Sequence, residues 1–397
     1  GVNVVRLKFV ARFAYGDALS SEKRIDGGVP VFGSNGTVGT HSRANTLAPA
    51  IVVGRKGSFG KLAYSEGAGF CIDTTYFIDR RLSHAHLRWL YYALQTVGLD
   101  DLSQDTGVPG LSREAAYEKA VFVPAPPMQL VIATFLDRKT AAIDALIAKK
   151  ERLIALLQEK RQALITQAVT KGLDPSVPMK ESGVEWIGRV PSHWRRTRLG
   201  YLSMIGNGST PSREEPSYWA EKGFPWLNSA KVNDETVPQA DRFVTPRAMQ
   251  ECHLPRVNPG TVLMAITGEG QTRGRAAVLT FEATVSQHIA YIAPSAQIIP
   301  RFLLRQLQAR YLWLRQESSG GGSTKGALTC EFLRTVPITL PPIAEQDAIV
   351  ARMDRVLAHQ GHVVDLLSGS VEKLREYRQA LITAAVTGKI DVSTEAA

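Results

Sequence analysis

The chain has 397 residues, 44% of them hydrophobic and 21% charged, enough for two or three packed domains and too apolar for wholesale disorder. Its net charge of +10, from 47 Lys and Arg against 37 Asp and Glu, suits an anionic partner, nucleic acid first, and on charge alone suits a merely soluble basic protein equally well. No apolar run approaches the ~20 residues of a membrane helix. No secretion-type leader is present, and Gly1-Val2-Asn3 lacks a start Met, so an upstream segment is expected. Cys71, Cys252 and Cys330 are too far apart for a disulfide framework or a zinc site, which points to a reducing cytoplasm, and the want of a membrane-length apolar run leaves no membrane expected as a partner.

In chain order, residues 1–125 read as a first globular domain. Residues 50–54 and 69–73 predict short strands bounded by turn residues, and 82–95 predict a helix. Ser34 and Asn35, on the Gly33–Gly36 turn, and Arg55, Lys56, Ser58 and Lys61, on a glycine-punctuated stretch, place donors and cations where backbone can approach phosphate. Each such loop is otherwise an ordinary solvated turn. Residues 126–180 open with Pro126-Pro127, which predict the end of a loop, and continue as a long helix and linker. Ile132, Leu136, Ile143, Leu146, Leu153, Leu157 and Leu164 fall on one heptad seam there.

Residues 181–335 read as a second globular domain, with strands over 260–266 and 287–292 and a helix over 300–316. Its candidate contacts are Asn207, Ser209, Thr210, Thr272, Arg273, Arg275 and Lys325. Trp219, Trp226, Trp89 and Tyr91 are expected in cores rather than as base-stacking platforms. Residues 336–397 form a second long helix after Pro341-Pro342, seamed by Ile349, Met353, Val356, Val363, Leu367, Leu374, Tyr377 and Leu381; this is the one net-acidic segment.

The two halves repeat each other. Residues 161–174, Arg-Gln-Ala-Leu-Ile-Thr-Gln-Ala-Val-Thr-Lys-Gly-Leu-Asp, recur at 378–391 with ten of fourteen positions identical. A period near 217 residues is far too long for a solenoid and implies two similar halves. The seams complement one another: Lys139, Lys150 and Lys160 align with Val356, Leu367 and Tyr377, while Gln360 and Ser370 align with Ile143 and Leu153. Each helix is therefore expected to pair with the other or with a partner, and ~40 residues give a rod of ~60 Å.

No catalytic signature stands out. Gly57-Ser-Phe-Gly60-Lys61 has the wrong spacing for a phosphate loop, and Gly268-Glu-Gly270 does not complete a dinucleotide fingerprint. His84-Ala-His86 and Cys252-His253 lack a third ligand nearby. Binding is favoured over catalysis. The alternatives are a fused or stand-alone DNA-modifying enzyme with a dispersed site, and a helical scaffold that reads no DNA.

Gly183-Val-Glu-Trp-Ile-Gly188, Val190-Pro-Ser-His-Trp194 and Arg198-Leu199, together with Pro341-Pro342-Ile-Ala-Glu-Gln346 and the Arg-Gln-Ala-Leu-Ile-Thr block, resemble the specificity subunits of Type I restriction-modification enzymes. Arg6-Leu7-Lys8 looks like the first-half counterpart of Arg198-Leu199, without the Trp-containing lead-in. Pro126-Pro127-Met-Gln-Leu-Val131 departs from the pattern, with no Gln at the place occupied by Gln346. The resemblance implies an α/β (α+β) protein: two target recognition domains joined by two long antiparallel helices in a coiled-coil spacer, pseudo-twofold. It implies a non-catalytic subunit that reads one half of a bipartite double-stranded DNA target with each domain. It also implies two methyltransferase subunits and two motor-nuclease restriction subunits as partners, with S-adenosylmethionine, ATP and Mg held by those partners and not by this chain.

Overall fold

The computed structural model describes residues 3–101, 110–185, 187–268, 270–318 and 326–392. Contacts divide the chain into two units, residues 1–152 with 367–397 (unit 1) and residues 153–366 (unit 2). Each unit thus contains one globular segment and part of both long helices, whereas the segments 1–125, 126–180, 181–335 and 336–397 hold helices and globules apart.

Unit 1 runs β1 (Asn3–Arg6), β2 (Ala14–Tyr15), β3 (Val29–Gly33), β4 (Gly36–His41), β5 (Ala50–Gly54), β6 (Leu62–Ser65), β7 (Phe70–Cys71), β8 (Thr75–Asp79), α1 (Leu87–Leu94), α2 (Arg113–Tyr117), β9 (Ala120–Val123) and the first part of α3 (Pro126–Lys171). Pro126 and Pro127 lie in the first turn of α3, where missing N–H groups cost nothing. Unit 2 takes the rest of α3. It continues through β10 (Met179–Glu181), β11 (Arg189–Pro191), β12 (Arg195–Arg198), α4 (Leu199–Leu202), β13 (Ser203–Asn207), β14 (Trp219–Ala220), β15 (Phe224–Leu227), β16 (Thr236–Val237) and β17 (Arg242–Val244). Then follow α5 (Pro246–Glu251), β18 (Val262–Ala265), β19 (Ala276–Leu279), β20 (Thr284–Val285), β21 (Ile289–Pro294), α6 (Pro300–Ala309), α7 (Tyr311–Glu317), α8 (Cys330–Thr335) and β22 (Pro337–Leu340). The final helix, α9 (Ile343–Val386), starts in unit 2 and ends in unit 1. The fold is α+β.

The strand pairings repeat. In unit 1, β5 lies antiparallel between β8 and β6, β3 pairs in parallel with β7, and β1 closes on β9. In unit 2, β18 lies between β21 and β19, β15 pairs in parallel with β20, and β12 closes on β22. The central strands Ala50-Ile-Val-Val-Gly54 and Val262-Leu-Met-Ala265 are buried throughout, which is why they read as continuous apolar runs rather than alternating ones.

Each unit builds its core around helix segments. In unit 1, Leu7, Trp89 and Leu90 pack with Ile132 and Leu136 of α3 and Ile382 and Val386 of α9. In unit 2, Trp194, Phe302 and Leu303 pack with Ile165 and Val169 of α3 and Ile349 and Met353 of α9. Within unit 1 the helices run antiparallel: Arg378 pairs with Asp144 at 2.9 Å and Arg375 with Glu151 at 2.7 Å. Ile143, Ile147 and Val371 form a small cluster there, joined by Leu374 and Leu381.

The seam differs from the heptad expectation. Leu146 and Leu153 are 43% and 45% exposed, while Ile147 is 9% exposed. The buried stripe Ile132, Leu136, Thr140, Ile143, Ile147 advances by four, four, three and four residues. A helix of 3.6 residues per turn drifts out of a strict seven-residue repeat by about 20° per heptad, and Ile147 takes the inward position from Leu146. On α9, Leu357 is buried where Val356 is half-buried. Leu157, Leu164, Val363 and Leu367 are half-buried.

The start of α3 also differs from the expectation that its Pro-Pro pair matches Pro341-Pro342. Gln129 is the counterpart of Gln346. It donates to Pro124 O at 2.9 Å and accepts from His86 N–H at 2.8 Å. Gln346 donates to Pro341 O at 3.0 Å and accepts from Ile299 N–H at 2.9 Å. The residue equivalent to Pro341 is Pro124, not Pro126, so aligning the two Pro-Pro pairs slipped the register by two. Among the described residues no helix is long and apolar enough to cross a membrane.

Candidate nucleic-acid interface

In unit 1 the β3–β4 turn lies against the β5–β6 loop. Lys61 Nζ donates to Asn35 Oδ1 at 2.7 Å. A Cβ on Gly54 would meet Ser58 O at 2.2 Å and Ser34 O at 3.0 Å, so glycine is what permits this approach. Arg55 donates to Asp73 O at 2.9 Å, and its guanidinium lies 4.9 Å from the Tyr15 ring centre. Arg113 lies 5.0 Å from the same ring. Ser34, Asn35, Arg55, Ser58 and Lys61 are therefore gathered at one edge, with Lys56 exposed beside them. Burial and the neighbouring Tyr15 push the Tyr76 phenol up to about 12, against the pull of Arg55. Tyr15 and Arg113 were missed from sequence; they are distant in the chain and carry no local motif.

In unit 2 the residues following β13, β15 and β20 surround a cleft of about 590 Å³ floored by Trp226. Asn207 ends β13, exposed. Ser209 N–H donates to Val285 O at 3.1 Å, and Ser209 O accepts from Trp226 Nε1 at 3.1 Å. The Thr210 hydroxyl donates to Gln287 Oε1. Asn228 Oδ1 accepts from Ala230 N–H at 3.0 Å, and His288 Nδ1 shares a hydrogen bond with the Thr267 hydroxyl at 2.9 Å. Arg213 lines the cleft, exposed and without an ion-pair partner among the described residues.

Thr272, Arg273 and Arg275 do not join these residues as cleft-lining groups. Arg275 lines a second cavity of about 670 Å³ with Arg161, Gln308 and Arg315, and hydrogen-bonds Asn233 and Gln271. Arg273 corrects the sequence expectation: it is 6% exposed, with its guanidinium packed against Gly326, and is not offered to solvent as a phosphate contact would be. Thr272 O closes a turn by accepting from Arg275 N–H at 2.9 Å. Lys325 lies outside the described residues. His86, one of the paired histidines, caps α1 by accepting from Trp89 N–H at 3.4 Å. Trp89 and Trp226 are core residues, as expected.

The polar clusters of the two units occupy equivalent strand ends. Gly16 and Gly208 both press on the strand equivalent to β7 or β20. A Cβ would meet Ile72 O at 2.1 Å in the first case and Val285 O at 1.7 Å in the second. The following amides, of Asp17 and Ser209, donate to Cys71 O at 3.0 Å and to Val285 O at 3.1 Å. Three loops thus converge in each unit. They carry Asp17, Ser34-Asn35 and Asp73-Thr74 in unit 1, and Ser209-Thr210, Asn228-Ser229 and Gln287-His288 in unit 2. Asn228, Gln287 and His288 were missed because single polar residues after apolar strands resemble ordinary strand ends. The signal that could have found them is the internal repeat, carried through the strands.

Residues 191–361 match the family model described as the Type I restriction modification DNA specificity domain. The chain is 24% identical over 282 residues to the MjaX type I restriction enzyme specificity subunit of Methanocaldococcus jannaschii, covering 70% of this chain and 61% of that one. It is 22% identical over 355 residues to the EcoBI specificity subunit of Escherichia coli, covering 86% and 73%. A chain solved in work on complex assembly and conformational transition of the type I R-M system shares the fold, with a TM-score of 0.69, 18% identity and 98% of each chain covered.

Proposed function

Because the chain belongs to the family of type I restriction-modification specificity subunits, we propose that it is the sequence-reading component of such a system. Each unit reads one half of a bipartite double-stranded DNA target, and the shared helices serve as the spacer. The observation that carries this reading is the pair of equivalent polar strand-end clusters, one in each unit, with side chains that differ between them. Two equivalent frames carrying different donors and acceptors suit two unlike half-sites. The basic surplus supplies the sequence-independent attraction to phosphate.

The chain recognises DNA and leaves catalysis to its partners, two methyltransferase subunits and two motor-nuclease restriction subunits in a cytoplasmic complex. S-adenosylmethionine, ATP and Mg belong to those partners. The test is enrichment of bound duplexes from a randomised library by the full chain, with affinity followed against salt. The expected result is one gapped motif bound in a salt-dependent way. Binding without sequence preference, or none at all, would favour a scaffold. Methylation or cleavage by the purified chain would make it an enzyme.

A further inference from the structure

The unit 2 cleft holds two side-chain amides whose oxygens are each bonded within the protein. Asn228 Oδ1 is occupied by the backbone N–H of Ala230, and Gln287 Oε1 by the Thr210 hydroxyl. Neither amide nitrogen has a hydrogen-bond partner among the described residues, and both side chains are exposed. A free Asn or Gln offers one acceptor and one donor, the pair that matches N7 and the N6 amino group of adenine. Each oxygen has one lone pair engaged within the protein, whereas both N–H donors of each amide are free, so donors outnumber acceptors where these two residues face the cleft. In the major groove the base whose edge carries two acceptors and no donor is guanine, through O6 and N7.

Resting on the reading of the chain as a DNA reader, we propose that Gln287 and Asn228 read a guanine in the half-site of unit 2, with Thr210 as the positioning residue that fixes the Gln287 amide. Trp226 Nε1, bonded to Ser209 O at 3.1 Å, holds the strand end from which Thr210 reaches Gln287. Arg213, at the same cleft, supplies a phosphate contact that does not distinguish bases.

The experiment compares motifs enriched from a randomised duplex library by the full chain and three variants, with folding checked by circular dichroism. Gln287→Leu is expected to relax one G·C position, lowering discrimination there roughly ten-fold or more, while the rest of the motif persists. Thr210→Val, which frees Gln287 Oε1, is expected to admit adenine at that same position. Arg213→Ala is expected to weaken binding to all sequences alike and to lower the salt slope by about one. A motif unchanged by Gln287→Leu, or a relaxed position that is A·T in the parent motif, overturns the proposal while DNA reading stands. If the parent chain enriches no motif, DNA reading itself fails, and the proposal with it.

Discussion

Arg305 is 1% exposed and remains charged because carboxylates meet it. Glu235 Oε2 accepts from Arg305 Nη2 at 2.8 Å, and Asp354 Oδ1 accepts from the same nitrogen at 2.8 Å. Arg161 adds a further bond to Glu235 at 2.7 Å. Burial works to raise the Glu235 carboxyl, but the Arg305 hydrogen bond and the Arg305 and Arg161 charges outweigh it and hold the group below its ordinary range. A lowered folded value means this carboxylate stabilises unit 2 above its unfolded value of about 4.3 and loses that contribution as pH falls through the folded value. Glu235→Gln leaves a buried cation short of a partner, so a loss of roughly 3 kcal/mol or more is expected at pH 7. Urea unfolding at pH 7 and below pH 4 checks this: the gap between variant and parent should narrow in acid. A gap that is constant with pH would mean the effect is not ionic.

Each globular segment is fastened to a long helix by a charge pair that recurs at the repeat offset. Asp137 of α3 accepts from Arg88 Nε at 2.6 Å and from the Tyr92 hydroxyl at 2.7 Å. Asp354 of α9 takes Arg301 at 3.2 Å and Arg305 at 2.8 Å. The glutamine at the head of each helix adds the second fastening. In unit 2 a third is present, Trp194 Nε1 donating to Glu345 Oε1 at 3.0 Å. Unit 1 has Met128 at the position equivalent to Glu345, so the carboxylate that accepts this bond in unit 2 has no counterpart on α3. The seam itself is testable by neighbouring residues. Ile147→Lys, at a 9% exposed position, is expected to cost roughly 3 kcal/mol, whereas Leu146→Lys, at 43%, should cost little. Equal costs in thermal unfolding would show that the inward face has been assigned to the wrong residue.

On the scale of the whole molecule, each unit carries its own core and its own polar strand-end cluster. Exchanging residues 1–125 for the matching part of another family member is therefore expected to change one half of the bound sequence and leave the other half and the gap intact. Library enrichment by the chimera gives the answer directly. A change in both halves together would show that the units do not read independently. Because α3 and α9 each contribute to both cores, the exchange must preserve the contacts of Ile132 and Leu136 with Ile382 and Val386, or unit 1 will lose stability rather than change specificity.

The two-half organisation, the α+β class and the positions of both long helices were legible in the sequence. They depend on periodicity and on a repeated block, both properties of residue order. The polar turn at Ser34–Asn35 and the cation-bearing stretch Arg55–Lys61 were legible for the same reason, since glycine marks where backbone must bend or come close. Which residues line the unit 2 cleft was decided by tertiary structure: Asn228 and Gln287 come to one cleft because β15 and β20 pair in parallel. Burial of Arg273 was likewise invisible in the sequence, because a glycine-flanked arginine looks solvent-facing until a segment 53 positions later, at Gly326, folds over it. The choice of Ile147 over Leu146 rests on helix phase accumulated across several turns, which a heptad count approximates and packing against α9 fixes.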